Sequence, residues 1–182
     1  WRNTPNRFGL VSIVLHWGVA LVVFGLFGLG LWMVGLDYYS GWYKTAPDIH
    51  KGIGILLFLV MLARVLWRFV SPPPPALPNH GQLTRLGSKL GHLALYLGLF
   101  AIMVSGYLIS TADGRGIAVF GLFEVPATLT SIPDQEDVAG VIHEYLAWGL
   151  VIFAGVHALA ALKHHFIDRD ATLTRMFGRA AK

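Results

Sequence analysis

The last long apolar stretch of the chain, residues 141–166, reads VIHEYLAWGLVIFAGVHALAALKHHF and contains four histidines. Residues 145–162 within it include no Asp, Glu, Lys or Arg, which is typical of a helix that crosses a bilayer. Two of the histidines, His143 and His157, are fourteen residues apart. An α-helix separates them by about 21 Å along its axis and returns them to nearly the same face. Ionisable residues inside membrane helices are rare and usually functional, so this spacing indicates two sites along one helix.

Three further apolar blocks predict a protein with four membrane spans. The 182-residue chain is 55% hydrophobic and 13% charged, with a mean hydropathy of +0.60. Soluble domains are about one quarter charged, so this composition excludes an ordinary soluble domain. We predict an all-α, integral membrane four-helix bundle that forms a single domain over residues 1–182. The expected helices are at about 9–35, 48–70, 88–111 and 138–166.

The positive charges predict the orientation of the spans. Of the fourteen Lys and Arg residues, only Lys44, Lys51 and Arg115 lie at one set of helix ends, and the other eleven, including Lys182, lie at the opposite set. Basic residues concentrate on the cytoplasmic side of membrane proteins, so both termini and the 71–87 loop are expected there. Because these residues border membrane spans, no nucleic-acid partner is expected, and membrane lipid is.

Two connecting segments have a distinctive composition. The sequence SPPPPALPNHGQ, residues 71–82, favours an extended polyproline path and predicts a stiff connector between the second and third spans. His80 within it is assigned no role. The sequence IAVFGLFEVP, residues 117–126, is apolar and is expected to lie along the outer membrane surface.

The histidines pair by depth between helices. His50 lies just inside the outer end of the second helix, as His143 does in the fourth. His16 lies about two turns, and His157 about two and a half turns, from the cytoplasmic ends of their helices. The chain has no cysteine, which excludes thiolate ligands and covalently attached haem. Two bis-histidine sites stacked across the bilayer would each suit a haem b between the helices.

Other polar residues are candidates to surround these haems. His92 also lies near the cytoplasmic end of its helix and is an alternative to His16 as a ligand; otherwise it lines the inner haem or a quinone pocket. Haem propionates need cationic partners, although each cation has the alternative role of a topology charge that snorkels to the membrane surface. The candidates are Arg7, Arg64 and Arg68 for the inner haem and Lys51 and Arg115 for the outer one.

Several motifs resemble the bacterial cytochrome b561 family. They are VLHW at 14–17, IHKGIGILLFLVMLARVLWRF at 49–69, LGHLALYL at 90–97, FGLFEVP at 120–126, IHEYLAW at 142–148 and VHALAALKHHFIDRD at 156–170. The resemblance implies an inner-membrane bundle with two b-type haems whose ligands match His16, His50, His143 and His157. It also implies electron exchange with ubiquinone, and one activity in the family is superoxide oxidation. The expected quinone site lies around His92, Lys163, His164 and the 71–87 loop.

Three functions follow as hypotheses. The first is a dihaem cytochrome that transfers electrons between the periplasmic side and ubiquinone, with superoxide as a candidate donor. The second is a non-enzymatic relay or anchor subunit for a dehydrogenase or a periplasmic redox protein. Eight of the ten acids lie at the outer end, which favours a basic protein donor over superoxide. The third, a histidine-based metal-ion transporter, is disfavoured because the histidines lie in two layers away from the midplane.

Overall fold

The computed structural model describes residues 1–180, so Lys182 lies outside the described residues. Four long helices dominate it, and each is long and apolar enough to cross a membrane. They are α1 (Leu10–Met33), α2 (Thr45–Val70), α3 (Gln82–Thr111) and α4 (Gln135–Phe166), followed by a single-turn helix α5 (Thr172–Arg175). The predicted all-α class with four membrane helices is confirmed.

The predicted helix boundaries differ most at the start of α3. This helix begins at Gln82, about six residues before the predicted start. The hydropathy of the sequence marks only the part of a helix that suits lipid. The first turns of α3 carry Arg85 and Lys89, and the same helix continues from them into the apolar stretch. The non-helical connector is correspondingly shorter and ends at Gly81.

The connection between α3 and α4 contains a β-hairpin that the sequence interpretation did not predict. Strands β1 (Ile117–Val119) and β2 (Phe123–Val125) pair antiparallel, with Ile117 opposite Val125. Phe120 and Gly121 both have positive φ, as the tight reversal between the strands requires. Ile117 and Val119 are buried whereas Leu122 is exposed, so the segment has one packed face, and its position along the membrane surface stays a prediction.

The tip of this hairpin rests on α2. A methyl group added at Gly52 would lie 2.9 Å from the ring of Phe120, closer than side chains approach in folded proteins. Position 52 therefore has to be glycine for Phe120 to sit where it does. The hairpin contacts α2 two residues beyond His50.

The chain divides into two compact units. The first comprises residues 1–20, 60–96 and the described residues from Ile152 onward; the second comprises Leu21–Leu59 and Leu97–Val151. Each unit takes part of every long helix. The first contains His16, His92 and His157, and the second contains His50 and His143.

In the first unit, the proline-rich connector is held by its backbone. The side chain of Arg175 is 6% exposed and donates hydrogen bonds to the carbonyl oxygens of Pro75 and Pro5, at 3.0 and 3.2 Å. Asn3 donates from its backbone N–H to Ser71 Oγ at 2.9 Å and from Nδ2 to the Ser71 carbonyl at 2.8 Å. Proline carbonyls have no helical or sheet partner here, so these donors satisfy them and fix the course of the connector.

Candidate haem-binding sites

The second unit places His50 of α2 opposite His143 of α4. Their ring centroids are 6.2 Å apart and their planes differ by 70°. Two metal–nitrogen bonds of about 2 Å, plus roughly 1.1 Å from each ring nitrogen to its centroid, give about 6 Å between the centroids of two imidazoles on one metal. The spacing of this pair therefore fits an iron atom between the rings.

The backbone of α3 orients the ring of His143. Its Nδ1 lies 3.0 Å from the carbonyl oxygen of Ile102 and 3.0 Å from Ser105 Oγ. The Ser105 hydroxyl donates to the same carbonyl at 2.8 Å, so the serine oxygen is an acceptor for His143. Nδ1 therefore carries the proton, and Nε2 keeps the lone pair that a metal needs.

Glycines make room for both rings of this pair. A methyl group at Gly106 would lie 3.1 Å from Cε1 of His143, and one at Gly30 would lie 3.5 Å from Cε1 of His50. The Nδ1 atom of His50 is buried and has no hydrogen-bond partner among residues 1–180. A buried polar atom without a partner is costly in a structural histidine, so this pair is better suited to binding a group than to holding the fold.

The first unit brings His16 of α1 and His157 of α4 together in the same way. Their ring centroids are 6.3 Å apart and their planes differ by 69°. His92 of α3 also lies beside His157, with 5.3 Å between ring centroids. That separation is shorter than the roughly 6 Å expected for two imidazoles on one metal. His92 also lies 3.4 Å from Ser88 Oγ through its Nδ1.

Arg64 holds His16 in its present orientation. Its guanidinium donates to Nδ1 of His16 at 3.1 Å and to the Leu15 carbonyl at 3.3 Å. A guanidinium has no acceptor, so the proton of a neutral His16 ring is on Nε2. Ligation of iron through Nε2 therefore requires Arg64 to release Nδ1, and a propionate is the anion that the arginine would then contact.

The cations proposed for the two haems have different surroundings. Arg64 and Arg68 both lie over the ring of Tyr96, at 5.5 and 5.9 Å from its centroid. The side chain of Arg7 makes no hydrogen bond or ion pair within the described part of the chain. Arg64 is thus the one of these three that directly contacts a candidate ligand, His16.

The two cations proposed for the outer haem are paired with acids. Lys51 Nζ lies 2.9 Å from Asp48 Oδ1, and Arg115 Nε lies 2.6 Å from Asp113 Oδ2. The hydrogen bonds from Arg115 lower the pKa of Asp113. The side chain of Arg115 is 86% exposed, so neither its position nor its pairing directs it to the His50–His143 pair.

Lys163 and His164, proposed for the quinone pocket, face acidic side chains beyond the end of α4. Lys163 Nζ lies 2.7 Å and His164 Nδ1 lies 2.8 Å from Asp168 Oδ2. Among residues 1–180, no hydrogen bond or ion pair joins either side chain to His92. Of the residues proposed for the quinone site, His92 therefore lies beside His157, whereas Lys163 and His164 lie at this acidic end.

His80 belongs to the same acidic end, and the sequence interpretation missed it. Its Nε2 lies 2.8 Å from Asp170 Oδ2, and its ring centroid is 4.9 Å from that of His164. Partial burial alone would raise the pKa of Asp170, but hydrogen bonds from Thr172 and His80 outweigh it and lower the pKa to about 2. His80 is 90 positions from Asp170 in the chain, so no local pattern connects the two.

Comparison with known proteins identifies the family of the chain. The family model described as prokaryotic cytochrome b561 matches residues 7–179. The chain is 57% identical over 181 residues to cytochrome b561 homolog 2 of Escherichia coli (strain K12), covering 100% of this chain and 96% of that protein. It is 30% identical over 172 residues to the protein named probable superoxide oxidase CybB of Yersinia pestis, covering 94% and 96%. Cytochrome b561 homolog 1 of Escherichia coli is 28% identical over 177 residues, covering 96% and 98%.

The match spans nearly the whole chain and includes all four long helices. It implies b-type haem, and it suggests quinone and redox partners. Together with the four apolar helices it indicates a multi-pass protein of the bacterial inner membrane. The chain therefore belongs to the prokaryotic cytochrome b561 family and is a membrane electron-transfer protein.

Proposed function

We propose that the chain binds two haem b groups, one between His50 and His143 and one between His16 and His157, and transfers electrons between the periplasmic side and ubiquinone. The observation that carries the proposal is the equal spacing of the two pairs, 6.2 and 6.3 Å between ring centroids. Bound haem b supplies reversible one-electron transfer at each pair. The protein supplies ligands, their orientation and an apolar surrounding.

His16 is the better inner ligand of the two candidates. Its centroid distance to His157 suits a shared metal, whereas the 5.3 Å between His92 and His157 is too short for one. His92 then lines the inner site without binding the iron. Arg64 and Arg68, which both lie over the ring of Tyr96, are the cations that we propose as partners of the inner haem propionates.

The quinone site is proposed at the cytoplasmic end, where the distribution of the eleven basic residues predicts both termini. His92, which lies beside His157 of the inner pair, is expected to line this site. Nε2 of His164 takes part in no hydrogen bond among residues 1–180, since the contacts of that ring use Nδ1. This nitrogen is therefore free to donate to a quinone carbonyl, whereas Lys163, adjacent in sequence, is paired with Asp168.

The identity of the donor distinguishes two forms of the proposal. Similarity to a protein named probable superoxide oxidase supports superoxide. Two superoxide ions would each lose one electron to become O2, and one quinone would take up both electrons and two protons to become quinol. The pairing of Lys51 and Arg115 with acids favours the alternative, a relay that accepts electrons from a basic protein, because it removes the expected attraction for a small anion.

Haem quantification on purified protein tests the cofactor proposal. We expect two haem b per chain in the unmodified protein, and about one after His50→Ala or His143→Ala, with the same loss after His16→Ala or His157→Ala. One haem per chain in the unmodified protein would contradict it. Reoxidation of the reduced protein by a soluble ubiquinone analogue tests the acceptor.

Stopped-flow spectroscopy with superoxide separates the two donors. If superoxide is the donor, haem reduction should be much faster than for a bis-imidazole haem in the same detergent, and it should slow with added salt if cations steer the anion. Reduction no faster than this reference would leave the relay function. The dihaem proposal stands or falls separately on the haem count.

A further inference from the structure

A second cluster of metal-binding side chains lies outside both haem sites. It consists of His80 from the proline-rich connector, His164 from the last turn of α4 and Asp170 just beyond it. One ligand atom from each lies within 4.8 Å of the others. All three belong to the same compact unit. We call this group the connector cluster.

Both imidazoles of the connector cluster converge on one carboxylate oxygen. Asp170 Oδ2 lies 2.8 Å from His80 Nε2 and 3.2 Å from His164 Nδ1. The other oxygen, Oδ1, accepts the backbone N–H of Thr172 at 2.8 Å, which fixes the carboxylate in this orientation. The three side chains are only 4%, 13% and 18% exposed for Asp170, His80 and His164.

Hydrogen bonding within the protein does not account for His164. Its Nδ1 is buried and has no hydrogen-bond partner among residues 1–180, although carboxylate oxygens of Asp168 and Asp170 lie at 2.8 and 3.2 Å. The two oxygens are thus close to the nitrogen without being aligned for a hydrogen bond to it. A cation that binds nitrogen and oxygen together would satisfy all of these atoms at once.

We propose that the connector cluster binds one divalent transition-metal ion of the zinc type through His80 Nε2, His164 Nδ1 and Asp170 Oδ2. Zinc takes imidazole nitrogen and carboxylate oxygen at about 2.0–2.2 Å in a tetrahedron, which separates neighbouring ligand atoms by about 3.4 Å. The distances of 2.8 and 3.2 Å need only a small expansion. A water molecule would supply the fourth position.

The surrounding structure positions the ligands. The connector that carries His80 is fixed by the bonds from Arg175 to Pro75 and from Asn3 to Ser71. Asp170 is fixed by Thr172, and His164 by α4. The chain contains no cysteine, so soft thiolate sites do not compete for the ion. Binding through Nδ1 of His164 also leaves its Nε2 available for the proposed quinone contact.

Zinc binding to the haem-loaded, full-length protein tests the proposal. The protein should be purified without a histidine tag, treated with EDTA and equilibrated with ZnSO4 in detergent, and its zinc content should be measured by mass spectrometry. We expect one zinc per chain. His80→Ala and Asp170→Asn should each weaken binding at least about tenfold. His165→Ala is the matched control, because His165 neighbours His164 but contacts Phe166 instead of the cluster, and it should bind zinc as the unmodified protein does.

Zinc K-edge X-ray absorption supplies a second measurement that does not depend on a variant that may alter the fold. The haem iron does not contribute at this edge, and we expect two imidazoles and one or two oxygen ligands. Absence of stoichiometric zinc, a site with fewer than two imidazoles, or unchanged binding in both His80→Ala and Asp170→Asn would overturn the proposal. Haem content, read from the visible spectrum, checks that each variant is folded; none of these results depends on the quinone or superoxide proposals.

Discussion

His143 of α4 is oriented by Ile102 of α3: the ring nitrogen Nδ1 donates to the Ile102 carbonyl oxygen at 3.0 Å. Ser105 contacts both partners, since its hydroxyl donates to that carbonyl and its oxygen lies 3.0 Å from Nδ1. The candidate ligand is therefore fixed through Nδ1, which leaves Nε2 as the nitrogen that would bind iron. Such contacts set the orientation and the basicity of a ligating imidazole.

Substitution of Ser105 should change the outer haem while keeping it bound. In Ser105→Ala, His143 keeps its bond to Ile102 but loses an acceptor, so the ring becomes a weaker electron donor to iron. We expect the midpoint potential of the outer haem to rise by about 20–60 mV, the equivalent of one net hydrogen bond. A redox titration followed in the visible spectrum measures it. Ser105→Thr retains the hydroxyl and is the control; a fall in potential would contradict the argument.

The angle between the imidazole planes predicts the electron paramagnetic resonance of the oxidised protein. The planes differ by 70° in the outer pair and by 69° in the inner pair. Nearly perpendicular imidazoles leave two of the iron d orbitals close in energy, which gives a highly anisotropic low-spin signal. We expect this signal, at low field, from both haems at liquid-helium temperature. A rhombic signal typical of parallel planes would show that the rings rotate when they bind iron.

Two glycines offer a matched pair of substitutions at the outer site. A methyl group at Gly106 would lie 3.1 Å from His143, tighter than ordinary contact, whereas one at Gly30 would lie an ordinary 3.5 Å from His50. Overpacking costs about 1–3 kcal/mol, partly offset by the roughly 1 kcal/mol by which alanine favours a helix over glycine. We therefore expect Gly106→Ala to lower outer haem content and Gly30→Ala to preserve it. Equal haem content in the two variants would contradict the prediction that only position 106 lacks room for a methyl group beside its histidine.

His16 and His92 are separated by the same kind of test at the inner site. Because the His92–His157 spacing is too short for a shared metal, His92→Ala should retain two haems per chain. His16→Ala should lose the inner one. Haem content measured on both variants decides between them, and the opposite pattern would make His92 the ligand.

The buried arginine of α5 should matter for stability. Arg175 donates to carbonyls of Pro75 and Pro5, and hydrogen bonds to charged groups contribute about 1.5–3 kcal/mol each. We expect Arg175→Gln to lower the melting temperature of the purified protein. Arg179→Ala, at an exposed position of the same segment, is the control and should melt as the unmodified protein does. The absence of a difference would show that the connector is held mainly by Asn3.

The sequence predicted the helices and the pairing of His50 with His143 and of His16 with His157 as neighbours, because both depend on helical geometry and hydropathy. The structure places these rings adjacent, and their ligation of iron stays a proposal. The predicted start of α3, at about residue 88, was wrong: the helix begins at Gln82, about six residues earlier, because its polar first turns lack the hydropathy by which the span was located.

The hairpin and His80 could not be predicted for a different reason. The pairing of Ile117 with Val125 depends on a reversal at Phe120 and Gly121, in which a bulky residue adopts positive φ against its intrinsic preference. His80 acquires its partners only when the connector folds back to the end of α4. The contacts of His80 join segments far apart in the sequence, which the periodicity of one segment does not reveal, and strands of three residues are too short for a period to be recognised.

The fit of Phe120 against Gly52 also has an evolutionary consequence. A side chain at position 52 would meet the outer end of the half-exposed Phe120 side chain, so a substitution there requires this ring to move. Among descendants of a common ancestor, a larger residue at position 52 is therefore expected together with a smaller residue at position 120 or a displaced ring.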